Sequence, residues 1–302
     1  MAKKDCFRRI QDDSGDQRLK HAPGKKPLTQ HTIGVFDSGI GGLSVLKALR
    51  AELPREHFIY IADSGHAPYG ERDAAHVLER SRAIARHLAG QNVKALVIAC
   101  NTATAAAIDC LRAEHPGLPI IGVEPALKPA LAISTTGRIG IMATRSTLAS
   151  AKFRALLASQ AARTSFVAQP CDGLADAIEH SAETGDTTEI IALCARYIRA
   201  MGQFGTQNSQ IDTLVLGCTH YPFASVQLRD LLAPQVQLID NGEAIARQTR
   251  RRVASAAADE SGAWSGTAGA VSLFTTGQPQ TLQAAASRWL GLSAAVETLY
   301  IQ

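Results

Sequence analysis

Ten short apolar runs limit how this chain can fold. They are 32–36 (TIGVF), 57–61 (HFIYI), 94–99 (KALVIA), 119–123 (PIIGV), 138–142 (RIGIM), 164–168 (TSFVA), 212–216 (DTLVL), 236–239 (VQLI), 271–275 (VSLFT) and 296–301 (VETLYI). Stretches with helical spacing lie between them. In 43–53, Leu43, Leu46, Leu49 and Leu53 share a face; in 74–89, Val77, Ile84 and Leu88 do so. Continuous apolar strands that alternate with helices predict an α/β fold of parallel sheets covered on both faces. At 302 residues the chain is long enough for two domains with sizeable cores. The Ala/Ser/Gly-rich stretch 255–270 reads as a loop.

The runs also repeat. Ile33-Gly34-Val35-Phe36 opens one half and Ile139-Gly140-Ile141-Met142 opens the other. In each half the third strand from that opening ends in a cysteine followed by polar residues. One reads Ala99-Cys100-Asn101-Thr102 and the other Gly217-Cys218-Thr219-His220. The shared rank and shared cysteine predict a structural duplication.

Ligands of open α/β sheets sit beyond the carboxyl ends of the strands. Asp37-Ser38, Cys100-Asn101-Thr102 and Cys218-Thr219-His220 all hold that position. Two thiols facing each other across a cleft suit one chemistry well. A base on one face of a carbon next to a carboxylate removes its proton, and an acid on the other face returns one. A free thiol titrates near 8.5, so thiolate and thiol are both within reach and exchange roles in reverse. Asp37 and His220 are candidates to tune the two thiols. Cys6, Cys110, Cys171 and Cys194 show no comparable setting.

Two further segments follow strands. Asp37-Ser38-Gly39-Ile40-Gly41-Gly42-Leu43-Ser44 opens a helix, and its glycines allow backbone N–H groups to approach an anion. It is neither GxGxxG nor a Walker A loop, so a carboxylate suits it as well as a phosphate. Ala62–Gly70 is long for a strand-to-helix turn and carries Tyr69 between a proline and a glycine, as ligand-lining loops do.

Composition narrows the class. Hydrophobic residues make up 46% and charged residues 19%, as in ordinary globular proteins. The net charge of +4 belongs to residues 1–31; the other 271 carry 23 charges of each sign. Without a basic stripe on the folded body, nucleic acid is not an expected partner. No apolar run reaches membrane-spanning length, and no apolar segment follows the basic N-terminal residues, so a cytoplasmic protein is expected. Residues 1–30 read as a flexible extension. Six cysteines without a CxxC pair or zinc spacing exclude a disulfide scaffold and point to catalytic use.

Taken together, DSGIGGLSVL (37–46), ADSGHAPYGER (62–72), ACNTATA (99–105) and LGCTHYPF (216–223) resemble the signature segments of the glutamate racemases, within the cofactor-independent Asp/Glu racemase superfamily. The resemblance runs from about residue 31 to the end of the chain. It implies two doubly wound parallel-sheet domains related by a pseudo-twofold axis, with the active site in the cleft between them. The divisions it implies are 31–123 with 240–302, and 124–239. It implies interconversion of L- and D-glutamate without cofactor or metal, for peptidoglycan synthesis. Cys100 would exchange the proton of the D-enantiomer and Cys218 that of the L-enantiomer, assisted by Asp37 and His220 respectively. Ser38, Tyr69, Gly70, Asn101, Thr102 and Thr219 would hold the substrate. Glu179 falls on an acidic position of the resembled pattern, although Asp172 stands where that pattern has proline. A cell-wall precursor is the implied candidate activator, and a homodimer the candidate assembly. The alternatives are an aspartate racemase, a one-cysteine decarboxylase of arylmalonate type, and a binding protein that uses the same cleft without turnover.

Overall fold

The computed structural model describes residues 32–160, 164–256 and 269–301. The extension at 1–30 lies outside the described residues. So does most of the 255–270 stretch, whose first two residues end a helix, Gly242–Ala256.

Each of the ten apolar runs holds a strand, the last over only its first three residues. In chain order they are β1 (Thr32–Asp37), β2 (His57–Ala62), β3 (Ala95–Ile98), β4 (Ile120–Gly122), β5 (Arg138–Ala143), β6 (Ser165–Pro170), β7 (Thr213–Gly217), β8 (Gln237–Ile239), β9 (Val271–Thr275) and β10 (Val296–Thr298). They form two sheets, ordered β10-β9-β2-β1-β3-β4 and β6-β5-β7-β8. Every pairing is parallel. The order β2-β1-β3-β4 of the first sheet recurs as β6-β5-β7-β8 in the second, which is the duplication that the repeated cysteine strands predict. The chain then returns to the first sheet, where β9 and β10 extend it past β2.

Helices cover the sheets because the apolar stripes between the strands have only the sheet faces to pack on. The leucine stripe forms the helix Leu43–Glu52, which buries Leu43, Leu46 and Leu49 against one face of the first sheet together with Ile245, Ala246 and Val253 of the returning segment. The helix Ala74–Gly90 buries Val77, Ile84 and Leu88 on the other face, beside Asn101–Glu114. Strands β1 and β3 are buried along their whole length, as expected of central parallel strands. Strand β6 departs from full coverage: it is an edge strand with Ser165 and Ala168 exposed. No helix among the described residues is long and apolar enough to cross a membrane.

Strand order reverses at β1/β3 in one sheet and at β5/β7 in the other. A crevice opens at such a reversal, beyond the carboxyl ends of the strands. Asp37 ends β1 and Cys100 follows β3 by two residues; Thr144 follows β5 and Cys218 follows β7.

Candidate active site

The two crevices share one pocket. Its lining includes Ser38, Tyr69, Gly70, Cys100, Asn101, Thr102, Glu179, Cys218, Thr219 and His220. Asp37 lies directly behind it and is fully buried. Every candidate from the sequence is thus in or against a single cavity.

Cys100 caps the helix Asn101–Glu114, its sulfur accepting the amide hydrogen of Ala103 at 3.4 Å. The first N–H groups of a helix lack intrahelical partners, so the peptide groups of this turn present donors toward the cleft. The Cys100 thiol stands 3.9 Å from the hydroxyl of Ser38, and the Ser38 hydroxyl donates to Oδ1 of Asp37 at 3.2 Å. Asp37 therefore reaches the sulfur through Ser38 and not directly. Its other oxygen accepts from the Thr219 hydroxyl at 2.8 Å, which commits that side chain to the carboxylate. Burial raises the Asp37 carboxyl to about 6, against the opposing pull of His220 and the bonds from Gly39 and Thr219. Burial and the adjacent Asp37 charge push the Cys100 thiol up to about 12.

On the other side, Cys218 Sγ lies 3.7 Å from Nδ1 of His220, whose Nε2 is 2.7 Å from Oε1 of Glu179. Burial pulls the imidazole toward neutrality, but the bonds to Cys218 and Glu179 prevail and hold it well above the ordinary histidine range. Glu179 keeps a proton on Nε2, and the protonated ring then offers Nδ1–H to the sulfur.

The glycine-rich segment closes the site from the first sheet. Its amides do hold an anion, and the anion is the protein's own: Ile40 N–H donates to Oε1 of Glu179 at 2.8 Å. A Cβ on Gly39 would come within 2.0 Å of that oxygen, and one on Gly41 within 2.3 Å of His220 Nδ1. Only glycine fits where the two halves meet this closely. Ser44 adds a bond across the same seam, to the carbonyl of Thr219 at 2.7 Å.

Tyr69 borders the pocket, but its hydroxyl points away, donating to Oδ2 of Asp63 at 2.6 Å. Asp63 is fully buried and also accepts from Arg80 at 3.1 Å and Thr276 at 2.8 Å. Tyr69 thus shows the pocket its ring and backbone, next to Gly70. Asn101 is buried with its Nδ2 unpartnered among the described residues, while its Oδ1 accepts from Asn241 at 3.4 Å. Thr102 meets Thr144 of the second half, hydroxyl to hydroxyl, at 3.1 Å.

One cysteine is placed differently from the sequence expectation. Cys171 follows edge strand β6, is buried, and lines the same pocket. Its thiol donates to the carbonyl of Gln169 at 3.3 Å, and burial, reinforced by the nearby Cys218, raises its pKa. Registers pair Pro170 with Ala143 and Ala143 with Gly217, so two strand spacings, about 9.6 Å, separate the positions of Cys171 and Cys218. That exceeds the reach of a disulfide without backbone movement. Cys100, Cys171, Cys194 and Cys218 are free thiols. Among the described residues no group of three or more His, Cys, Asp or Glu is placed to hold a metal ion.

Known proteins resemble this chain in sequence and in fold. The chain is 49% identical over 223 residues to the glutamate racemase of Ectopseudomonas mendocina, covering 74% of this chain and 82% of that one. It is 44% identical over 264 residues to that of Ralstonia pickettii, covering 87% and 89%. Among solved structures, a glutamate racemase isoform of Bacillus anthracis superposes with a TM-score of 0.77 at 29% identity, over 90% of this chain and 98% of that one. The glutamate racemase of Escherichia coli, in complex with L-glutamate and the activator UDP-MurNAc-Ala, gives 0.77 at 30% identity over the same shares. The model of the Asp/Glu/hydantoin racemases matches residues 33–249, and the chain belongs to that family.

Proposed function

We propose that this protein is an isomerase that interconverts L- and D-glutamate by a two-base mechanism, with Cys218 and Cys100 as the bases. The observation that carries the reading is the unequal setting of the two thiols in one pocket. Cys218 faces an imidazole held protonated by Glu179, a partner for a thiolate. Cys100 is buried beside Asp37 and held as a thiol. For L-glutamate, Cys218 as thiolate takes the α-proton from one face, and the Cys100 thiol delivers its proton from the other. The product is D-glutamate, with Cys218 protonated and Cys100 as thiolate.

The reverse direction needs Cys100 as the base. Cys100 serves there as the thiolate left by the forward step, and Ser38, between its sulfur and Asp37, is the path by which Asp37 assists it. His220 then keeps Cys218 supplied as the acid. The carbanion that forms between the two thiols carries charge on the α-carboxylate. The orphaned Asn101 amide and the first N–H groups of its helix are the donors that stabilise it, with Thr102 and the backbone at Tyr69 and Gly70 completing the hold on the substrate. No cofactor enters the scheme.

By analogy with its relatives, the protein works in the cytoplasm, supplies D-glutamate for peptidoglycan, and responds to a cell-wall precursor of the kind bound by the Escherichia coli enzyme. We read 31–123 with 240–302 as one domain and 124–239 as the other, with dimerisation as the assembly to test. Polarimetry on purified protein, with no cofactor added, tests the activity. Loss of optical rotation from L-glutamate, with aspartate turned over at least a hundredfold more slowly, supports it. Faster turnover of aspartate contradicts it.

A further inference from the structure

We propose that Arg145 and Asp172 form an ion-pair gate at the mouth of the pocket, and that Arg145 is the side chain that admits acidic substrates. The proposal rests on the reading above that the substrate is an acidic amino acid, which carries two carboxylates against one ammonium.

The fold brings these two residues together. Ala143 and Pro170 are paired neighbours at the ends of β5 and β6, and Arg145 and Asp172 each lie two residues further on. Arg145 opens the short helix Arg145–Ala149, and Asp172 stands in the turn before the helix Leu174–Thr184. The carbonyl of Asp172 accepts from the Tyr197 hydroxyl at 2.5 Å, which fixes that turn. An Arg145 Nη2 meets Oδ2 of Asp172, and both residues line the pocket.

Charge gives the pair its task. Among the described residues lining the pocket, Arg145 is the one lysine or arginine, while Glu71, Asp172, Asp176 and Glu179 are acidic, the last paired with His220. An incoming dicarboxylate therefore finds one guanidinium on the lining, and there Asp172 competes for it. The side chains are 66% and 44% exposed, so the pair is solvated and opens at small cost. Asp172 is also the position where the segment departs from the pattern it resembles. The competing carboxylate belongs to this chain's own sequence.

A gate and a structural ion pair respond differently to substitution. Loss of either partner weakens a structural pair equally. In a gate, Asp172→Asn frees the arginine and Arg145→Gln removes it, so the two have opposite signs. We expect Asp172→Asn to raise kcat/KM for glutamate about threefold at low ionic strength and Arg145→Gln to lower it about fivefold. Both effects shrink toward unity at about 1 M salt, where screening acts within about 3 Å. The gain from Asp172→Asn should vanish in the Arg145→Gln background and exceed that of Asp176→Asn. Same-sign effects, or a gain that survives without Arg145, overturn the gate. Glutamate Kd by calorimetry on the wild-type protein, Asp172→Asn, Arg145→Gln and the double variant separates the two claims. Opposite-sign shifts in Kd without turnover uphold the gate and refute the racemase reading. Turnover with same-sign shifts does the reverse.

Discussion

The Nε2 of His220, two residues past Cys218 at the end of β7, lies 2.7 Å from a carboxylate oxygen of Glu179 on the helix Leu174–Thr184. The same oxygen accepts the amide of Ile40 from the first half of the chain. One carboxylate thus fixes the histidine ring and ties the glycine-rich segment to it. Glu179→Gln keeps the shape but removes the charge that supports a protonated imidazole. We expect kcat/KM to fall about a hundredfold, within the usual range for acid–base assistance. Because the enantiomers have equal free energy in water, the fall must be equal in both directions. Steady-state rates from L- and D-glutamate check this; a loss under threefold shows that the charge on Glu179 is not used.

Asp37 supplies the pH dependence. With its carboxyl near 6, kcat/KM should decline as pH falls through about 6, and Asp37→Asn should remove that limb together with most of the activity. The sign for stability is the opposite of the usual carboxylate case. The folded value lies above the ordinary aspartate value of 3.8, so the ionised form is disfavoured in the fold. The cost is full above pH 6, roughly 3 kcal/mol at about 1.4 kcal/mol per unit, and disappears as pH falls toward 3.8. Urea unfolding at pH 7.5 and 5 measures it as the difference between the wild-type protein and Asp37→Asn.

Tyr69 serves the site through its position. Its hydroxyl belongs to the Asp63 network, so Tyr69→Phe should cost about 1–3 kcal/mol of stability while leaving the KM for glutamate within twofold. Arg80→Met should cost about 3–5 kcal/mol, because it strands the buried Asp63 carboxylate. Chemical denaturation and steady-state kinetics on the two variants check both; a large rise in KM for Tyr69→Phe would place the hydroxyl on the substrate.

Cys171 provides a contrast among the thiols. It shares the pocket, but its thiol is engaged with the Gln169 carbonyl. Cys171→Ser should retain at least a third of wild-type kcat. A loss comparable to that of Cys218→Ser would give the third thiol a part in the chemistry.

The strands were legible in the sequence because central parallel strands are continuous apolar runs with no competing pattern, as Ala95–Ile98 shows. The chemistry was legible at Cys100 and Cys218 because each carries a polar sequel at the matched rank of a repeated unit. Cys171 escaped notice because it follows an edge strand and is trailed by Asp172 and Gly173, with no repeat to mark it. The ties between Asp63 and Arg80, 17 residues apart, and between Ile40 and Glu179, 139 apart, are long-range meetings of groups that no local spacing encodes. The glycine-rich segment was legible as an anion cradle, but only the fold shows that its anion is Glu179.

The most direct measurement follows the α-proton of each enantiomer by NMR in D₂O, with no added cofactor, for the wild-type protein, Cys100→Ser and Cys218→Ser. Two-base racemisation predicts that wild type exchanges the α-proton of both enantiomers as rotation is lost. Each variant should lose racemisation by at least a thousandfold, and residual exchange should be confined to one enantiomer: L-glutamate for Cys100→Ser, D-glutamate for Cys218→Ser. Near-wild-type racemisation by either single variant would contradict the two-thiol account.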